Sequence, residues 1–132
     1  MNARALAQHY AAIACGEIEG VRLLAPDRLR AATTLQTDAV DSVLGRQANR
    51  GLGYELGGVA SPLGVGSVAG AMGRRLTTFG HAGIGGAIGF GDPEYRFAFA
   101  LTKNRLTWLP LQESVTYRVA CELRSVLGIP ES

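Results

Sequence analysis

The clearest pattern of apolar and polar positions lies in the last third of the chain, where apolar side chains recur at every second residue. Phe97, Phe99 and Leu101 point to one side of an extended segment, and the residues between them point to the other. Pro93, which lies before this segment, is typical of a turn because its ring fixes φ. The predicted strands are 76–84, 86–91 and 95–102, and together they form an antiparallel meander.

Helical spacing is present in three segments, which are 3–16, 26–34 and 113–127. Asn2 is a good N-cap for the first, and Gly16 is a good stop. Pro26 suits the first turn of the second. The third carries an apolar stripe of Val115, Val119, Leu123, Val126 and Leu127.

We expect the stripe of the third helix to lie across the sheet, on the side of the small residues Ala87, Gly89 and Gly91. The predicted fold class is therefore α+β, an antiparallel β-meander with helices packed on one face. The chain is expected to be a single unit, with a helical segment over 1–50 and the sheet with its C-terminal helix over 51–132. Within it, 37–49 is predicted to be irregular, 51–58 a glycine-rich strand and 59–75 a long surface loop.

Composition excludes several classes of protein. The net charge of +2 is small, and the twelve arginines are scattered, so no nucleic-acid interface is expected. No apolar run approaches the roughly 20 residues that a membrane span needs. The N-terminus does not resemble a signal peptide, and a cytoplasmic location is the default expectation. Cys15 and Cys121 are expected to be free thiols, with a disulfide as the alternative.

The usual nucleophile motifs are missing from the sequence. No Gly-x-Ser-x-Gly motif is present, because Val65 occupies the first glycine position before Ser67. No serine is followed three residues later by lysine, since the only lysine is Lys103 and Ala100 precedes it by three.

Cofactor and metal motifs are also weak or missing. The run Gly64-Val-Gly66-Ser-Val-Ala69 matches only the loosest dinucleotide-binding pattern, without a preceding strand or a following acidic residue. We interpret it as a flexible loop, and we expect no cofactor and no metal. Of the two histidines, His81 is the one between glycines, where another group can approach the backbone closely. Its alternative is a strand histidine beside glycines that serve helix packing.

The order of segments in the second half resembles a known family. The run 79–86 (FGHAGIGG) is followed by 90–94 (FGDPE) and by 97–105 (FAFALTKNR). This order resembles the C-terminal part of the β-lactamase-related serine hydrolases, in particular the class C-like esterases and D-alanyl carboxypeptidases. The upstream segments resemble the part of the family that precedes this run. The resemblance covers essentially the whole chain but about the last third of a family member, and it implies a partial β-lactamase/transpeptidase-like fold.

The resemblance also implies roles for individual residues. His81, Ala82 and Gly83 match the third active-site motif, in which Lys or His is followed by a small residue and Gly. His81 would face the cleft and handle protons, and the backbone N–H of Ile84 would be one oxyanion-hole donor. Ala82 departs from the usual Ser or Thr, which favours an esterase-like specificity. Asn104 matches an Asn often found after the last strand and would contact substrate.

The family's other two motifs are missing from this sequence. There is no Ser-x-x-Lys, and none of the four tyrosines is followed two residues later by Asn. We therefore expect the chain to be the C-terminal part of a serine hydrolase that acts on an ester or amide only when an N-terminal part completes it. The alternatives are a non-catalytic partner of a separate chain that carries Ser-x-x-Lys, and an unrelated binding domain. Self-association through the 95–102 edge is also expected, because the strands that would cover it are missing.

Overall fold

A computed structural model describes residues 2–43, 45–58 and 69–130. Its helices are α1 (Ala3–Ala14), α2 (Pro26–Thr33) and α3 (Val115–Val126), and its strands are β1 (Val40–Asp41), β2 (Arg46–Gln47), β3 (Glu55–Leu56), β4 (Phe79–Ala82), β5 (Ile88–Asp92) and β6 (Phe97–Leu101). Asn2 caps α1 by accepting a hydrogen bond from the Ala5 N–H at 2.8 Å, and Gly16 follows its end with a φ of 79°. The first two predicted helices are confirmed to within two residues.

The main sheet is antiparallel, with its strands in the order β3-β4-β5-β6. Gly80 lies opposite Phe90, and Phe90 lies opposite Phe99, so the three predicted strands form the expected meander. The α+β class is confirmed. The 37–49 segment is not wholly irregular, because β1 and β2 form a small antiparallel pair within it.

The helix that covers the glycine face of the sheet is α1. A Cβ added at Gly89 would lie 2.5 Å from the ring of Tyr10 and 2.9 Å from Leu6, and one added at Gly91 would lie 3.0 Å from Ala14. Side chains at these two positions would therefore push α1 away from β5. The prediction that the C-terminal helix lies on this face is wrong.

The C-terminal helix α3 instead packs on the opposite face of the sheet, so the helices are not confined to one face. Its buried residues are Thr116, Ala120 and Arg124, and Ala120 belongs to one core cluster with Phe90 and Phe99. The Arg124 guanidinium carbon lies 5.0 Å from the centroid of the Phe90 ring. The apolar stripe predicted to face the sheet points outward, with Val115 55% and Val126 74% exposed.

Two segments before β4 also differ from the prediction. The expected strand over 51–58 is reduced to β3, because 51–54 form a bend in which the Gly51 N–H donates to the Tyr54 carbonyl. Of the expected surface loop over 59–75, residues 59–68 lie outside the described residues. Its last part contains a 3₁₀ turn at Ala69–Met72, in which Ala71 and Met72 are buried in the α3-side core.

Among the described residues, strand β6 lies at the edge of the sheet, but its aromatic side chains are covered. Phe99 is 7% exposed and packs in the core cluster on the α3 side, and Phe97 and Leu101 are half-buried against the same cluster. The 95–102 edge therefore offers backbone groups rather than open aromatic side chains. Phe99→Lys would damage the core and does not test association through this edge.

Candidate active site

Strand β4 has a free edge where it carries the predicted motif. The partner strand β3 pairs with β4 at Phe79 and Gly80 and goes no further. From His81 onward, among the residues that the structure describes, the β3 side of this strand has no ladder partner. The motif His81-Ala82-Gly83 therefore lies where an extended group of a substrate can approach the backbone.

The imidazole of His81 is exposed, and its tautomer follows from one contact. Its Nδ1 lies 2.9 Å from the Ala82 carbonyl oxygen. Because a carbonyl can only accept a hydrogen bond, Nδ1 must carry the proton. The lone pair of neutral His81 is then on Nε2. This arrangement provides a group that can accept a proton beside the open strand edge.

The turn after β4 presents the Ile84 N–H. The Gly86 N–H donates to the Gly83 carbonyl at 3.3 Å, and Gly85 has a φ of 87°, as in the third position of a type II turn. Ile84 is the second residue of this turn and is 76% exposed. Within the described ranges its N–H donates to no backbone carbonyl, whereas the Gly83 and Gly86 N–H groups both do. The N–H is therefore available as a donor for an external oxygen.

Asn104 lies in the segment that follows β6. It is exposed and lines a surface groove of about 680 Å³ together with Lys103, Arg105 and Thr107. This segment reaches the turn after β4, because the Thr107 N–H donates to the Gly85 carbonyl at 3.3 Å. Asn104 is thus brought to the same end of the sheet as Ile84. No hydrogen bond joins Asn104 to His81 in the part of the chain described.

Sequence reasoning missed three residues around this turn. Thr116 is fully buried, and its hydroxyl donates to the Gly86 carbonyl at 2.5 Å. The ammonium of Lys103 donates to Thr107 Oγ1 at 2.5 Å. These three residues lie 20 to 33 positions beyond Gly83 in the chain, so local spacing gives no sign of them. The one available signal was that Lys103 is the chain's only lysine.

An aromatic cluster lies beside β4 on the α1 face. The ring centroids of Tyr54 and Phe79 are 5.2 Å apart, and those of Tyr10 and Phe79 are 6.1 Å apart. Burial raises the pKa of Tyr10, and the neighbouring Tyr54 raises it further; burial also raises the pKa of Tyr54. Both hydroxyls therefore stay protonated at neutral pH, and the cluster forms an apolar support behind the motif.

The described residues contain no group of three or more histidine, cysteine or acidic side chains that could hold a metal ion. In the same ranges, no helix is long and apolar enough to cross a membrane. Among the described residues, Cys15 and Cys121 are thiols and are not joined in a disulfide.

The chain matches known proteins over nearly its whole length. Residues 1–124 match the family model described as Beta-lactamase. The Esterase/beta-lactamase LipL of Mycobacterium tuberculosis (strain ATCC 25618 / H37Rv) is 38% identical over 106 residues, which are 80% of this chain and 22% of that protein. The chain therefore spans about a fifth of the length of this curated relative.

Solved structures show the same fold. A penicillin-binding protein homologue from Caulobacter crescentus superposes with a TM-score of 0.76 at 26% identity, over 92% of this chain and 31% of that one. EstA from Arthrobacter nitroguajacolicus Rue61a superposes with a TM-score of 0.77 over 96% of this chain and 32% of that one. Its sequence identity is 22%, so this similarity supports the fold alone. With the family model covering 1–124, these findings show that the chain belongs to the β-lactamase family of serine hydrolases.

Proposed function

We propose that this chain forms the oxyanion-side wall of an acyl-transfer site that hydrolyses esters or amides. Two features of the described residues together carry the proposal: the edge of β4 at His81 has no strand partner, and the Ile84 N–H donates to no backbone carbonyl. An oxyanion needs fixed donors at the place where negative charge develops, and a backbone N–H in a tight turn is such a donor. His81 adds a proton acceptor beside it.

The nucleophile must come from polypeptide outside these 132 residues. Acyl transfer in this family needs an activated serine, and the sequence contains no Ser-x-x-Lys. In LipL, which is named an esterase/β-lactamase, the matched segment is 22% of the protein. The rest of LipL is therefore long enough to contain the remaining motifs. We therefore expect the 132-residue chain alone to show no hydrolysis of p-nitrophenyl esters or chromogenic cephalosporins above background.

Ester substrates are favoured over β-lactams. Ala82 occupies the position where Ser or Thr would offer a hydroxyl to a substrate carboxylate, and a methyl group cannot donate a hydrogen bond. Small esters carry no such carboxylate and lose nothing by the change. Ala82→Ser is accordingly expected to improve cephalosporin hydrolysis relative to ester hydrolysis in a completed enzyme.

A chimera tests the proposed function. Residues 1–132 would replace the matching segment of LipL, and hydrolysis of p-nitrophenyl butyrate would be measured. We expect activity that falls about 100-fold in His81→Ala, as for loss of a general acid–base group. Thr77→Ala, at an exposed position outside the site, is the matched control. A chimera whose activity is unchanged by His81→Ala would contradict the role of this strand.

The second candidate is a non-catalytic module that complements a separate chain carrying Ser-x-x-Lys. The outward apolar stripe of α3 favours it, because contiguous exposed apolar residues are typical of a surface that another polypeptide covers. This candidate predicts a stable complex between the chain and a LipL variant that lacks the matching segment. Sedimentation of the mixture as two separate species would contradict it.

A further inference from the structure

The orientation of the Ile84 N–H depends on Gly86. The Gly83 carbonyl and the Ile84 N–H belong to one planar peptide unit and point in opposite directions. The Gly86 N–H binds that carbonyl from inside the turn, so the Ile84 N–H is turned outward. Anything that fixes Gly86 therefore also fixes the direction of the donor.

Two side chains from other elements lie against Gly86, and one of them is hydrogen-bonded to it. The hydroxyl of Thr116, in the first turn of α3, donates to the Gly86 carbonyl at 2.5 Å and is fully buried. The ammonium of Lys103 lies against the same glycine, since a Cβ added at Gly86 would be 2.8 Å from Lys103 Nζ. Gly86 has a φ of 104°, a backbone conformation that is strained for residues with a side chain. The turn therefore cannot be held by a side chain at position 86 itself.

Lys103 also joins the second anchor of the turn. Its ammonium donates to Thr107 Oγ1 at 2.5 Å, and the Thr107 N–H donates to the Gly85 carbonyl at 3.3 Å. The carbonyls of both Gly85 and Gly86 are therefore tied to residues that lie beyond β6. A charged donor gives the stronger kind of hydrogen bond, and Lys103 is partly shielded from water.

We propose that Lys103 and Thr116 are positioning residues for the Ile84 N–H. Both act through Gly86, and Lys103 acts through Thr107 as well. The geometric part of this proposal concerns the turn alone, whereas its catalytic meaning rests on the proposed acyl-transfer function. Lys103 thus supports the oxyanion donor, and it has no part in a Ser-x-x-Lys base.

Amide hydrogen exchange in the full 132-residue chain tests the positioning. In ¹⁵N-labelled protein we expect exchange of the Gly86 amide to quicken about five- to tenfold in Thr116→Val, which removes the hydroxyl and keeps the shape. Lys103→Met, which keeps most of the stem, should have a similar effect, and the Ile84 amide resonance should shift in both. The amides of Phe90 and Phe99 should exchange at the wild-type rate.

Two variants separate positioning from general damage. Thr116→Ser restores the donor and should return Gly86 exchange to the wild-type rate, and Arg105→Met removes a neighbouring exposed cation without effect. If Thr116→Val fails to fold, Lys103→Met alone decides the outcome. Unchanged Gly86 exchange and an unmoved Ile84 resonance in Lys103→Met would overturn the proposal. An inactive LipL chimera together with faster Gly86 exchange would overturn the function and leave the positioning intact.

Discussion

Replacing Gly89 by alanine tests the placement of α1 against β5. The added Cβ would lie 2.5 Å from Tyr10 Cε2 and 2.9 Å from Leu6 Cδ2, whereas carbon atoms in contact prefer about 3.5–4.0 Å. Either the helix moves by about 1 Å or both side chains leave their rotamers, and overpacking of this kind costs about 1–3 kcal/mol. Replacing a strand glycine by alanine stabilises the fold by about 0.5–1 kcal/mol, because glycine loses more backbone entropy on folding.

The net expectation for Gly89→Ala is a loss of about 0–2.5 kcal/mol in the free energy of unfolding, centred at about 1 kcal/mol and measured by urea titration with circular dichroism. Gly83→Ala is the matched control, because its Cβ would meet Ala87 at 3.6 to 3.7 Å, an ordinary contact. It should stay within about 0.5 kcal/mol of wild type.

A double-mutant cycle makes the test specific to α1. Leu6→Ala removes one of the two obstacles, so Gly89→Ala should cost less in that background, with a coupling of at least about 0.5 kcal/mol. Additive effects of Leu6→Ala and Gly89→Ala, or equal costs at Gly89 and Gly83, would refute the packing of α1 on the glycine face.

Three further outcomes are expected. Arg75→Met removes the ion-pair partner of the fully buried Asp92 carboxylate. It should lower the free energy of unfolding in urea by about 3–5 kcal/mol, more than Asp92→Asn does; the reverse order would contradict this ion pair. Because the folded-state pKa of Tyr10 is raised, its contribution to stability is complete below about pH 10 and is lost as the pH rises further. Tyr10→Phe should reduce this loss, and identical pH profiles for wild type and Tyr10→Phe would contradict it. Sedimentation should show self-association. Thr102→Lys, at the exposed end of the 95–102 edge, and Val126→Lys, on α3, are each tested for a larger monomer fraction; a monomeric wild type would refute self-association.

The sequence predicted the meander because its signal is local. Alternation over 95–102 needs only a difference between the two faces, and the structure provides it: Phe99 packs on the α3-side core, while Ala98 packs beneath α1. The small residues of β5 correctly indicated that a helix lies close. They could not indicate which helix. The hydrophobic periodicity of a strand or a helix does not show which elements pack against each other.

The apolar stripe of α3 misled for a related reason. A helical period shows that two faces differ, but it does not show which face meets the sheet. The α3-side face of the sheet already holds the rings of Phe90 and Phe99, so the helix presents the small Ala120 there. Arg124 is buried there, with its guanidinium over the Phe90 ring.

At the candidate site, the sequence predicted the motif residues but not the residues that contact the turn after them. His81 and Ile84 could be proposed because they stand in a short run of fixed order. Thr116 and Lys103 could not, because their contacts to Gly86 join segments far apart in the chain. Whether an N–H is left unpaired depends on such contacts, and only the folded chain reveals it.

The most direct test of the central claim removes the Ile84 N–H and keeps the turn. Proline suits the second position of a type II turn, so Ile84→Pro should keep the turn and lose the donor, whereas Ile84→Ala loses the side chain and keeps the donor. In the LipL chimera we expect kcat for p-nitrophenyl butyrate to fall about 10²- to 10³-fold in Ile84→Pro and to stay near the parent value in Ile84→Ala. Equal rates for the two variants would contradict the assignment of this turn to the oxyanion hole.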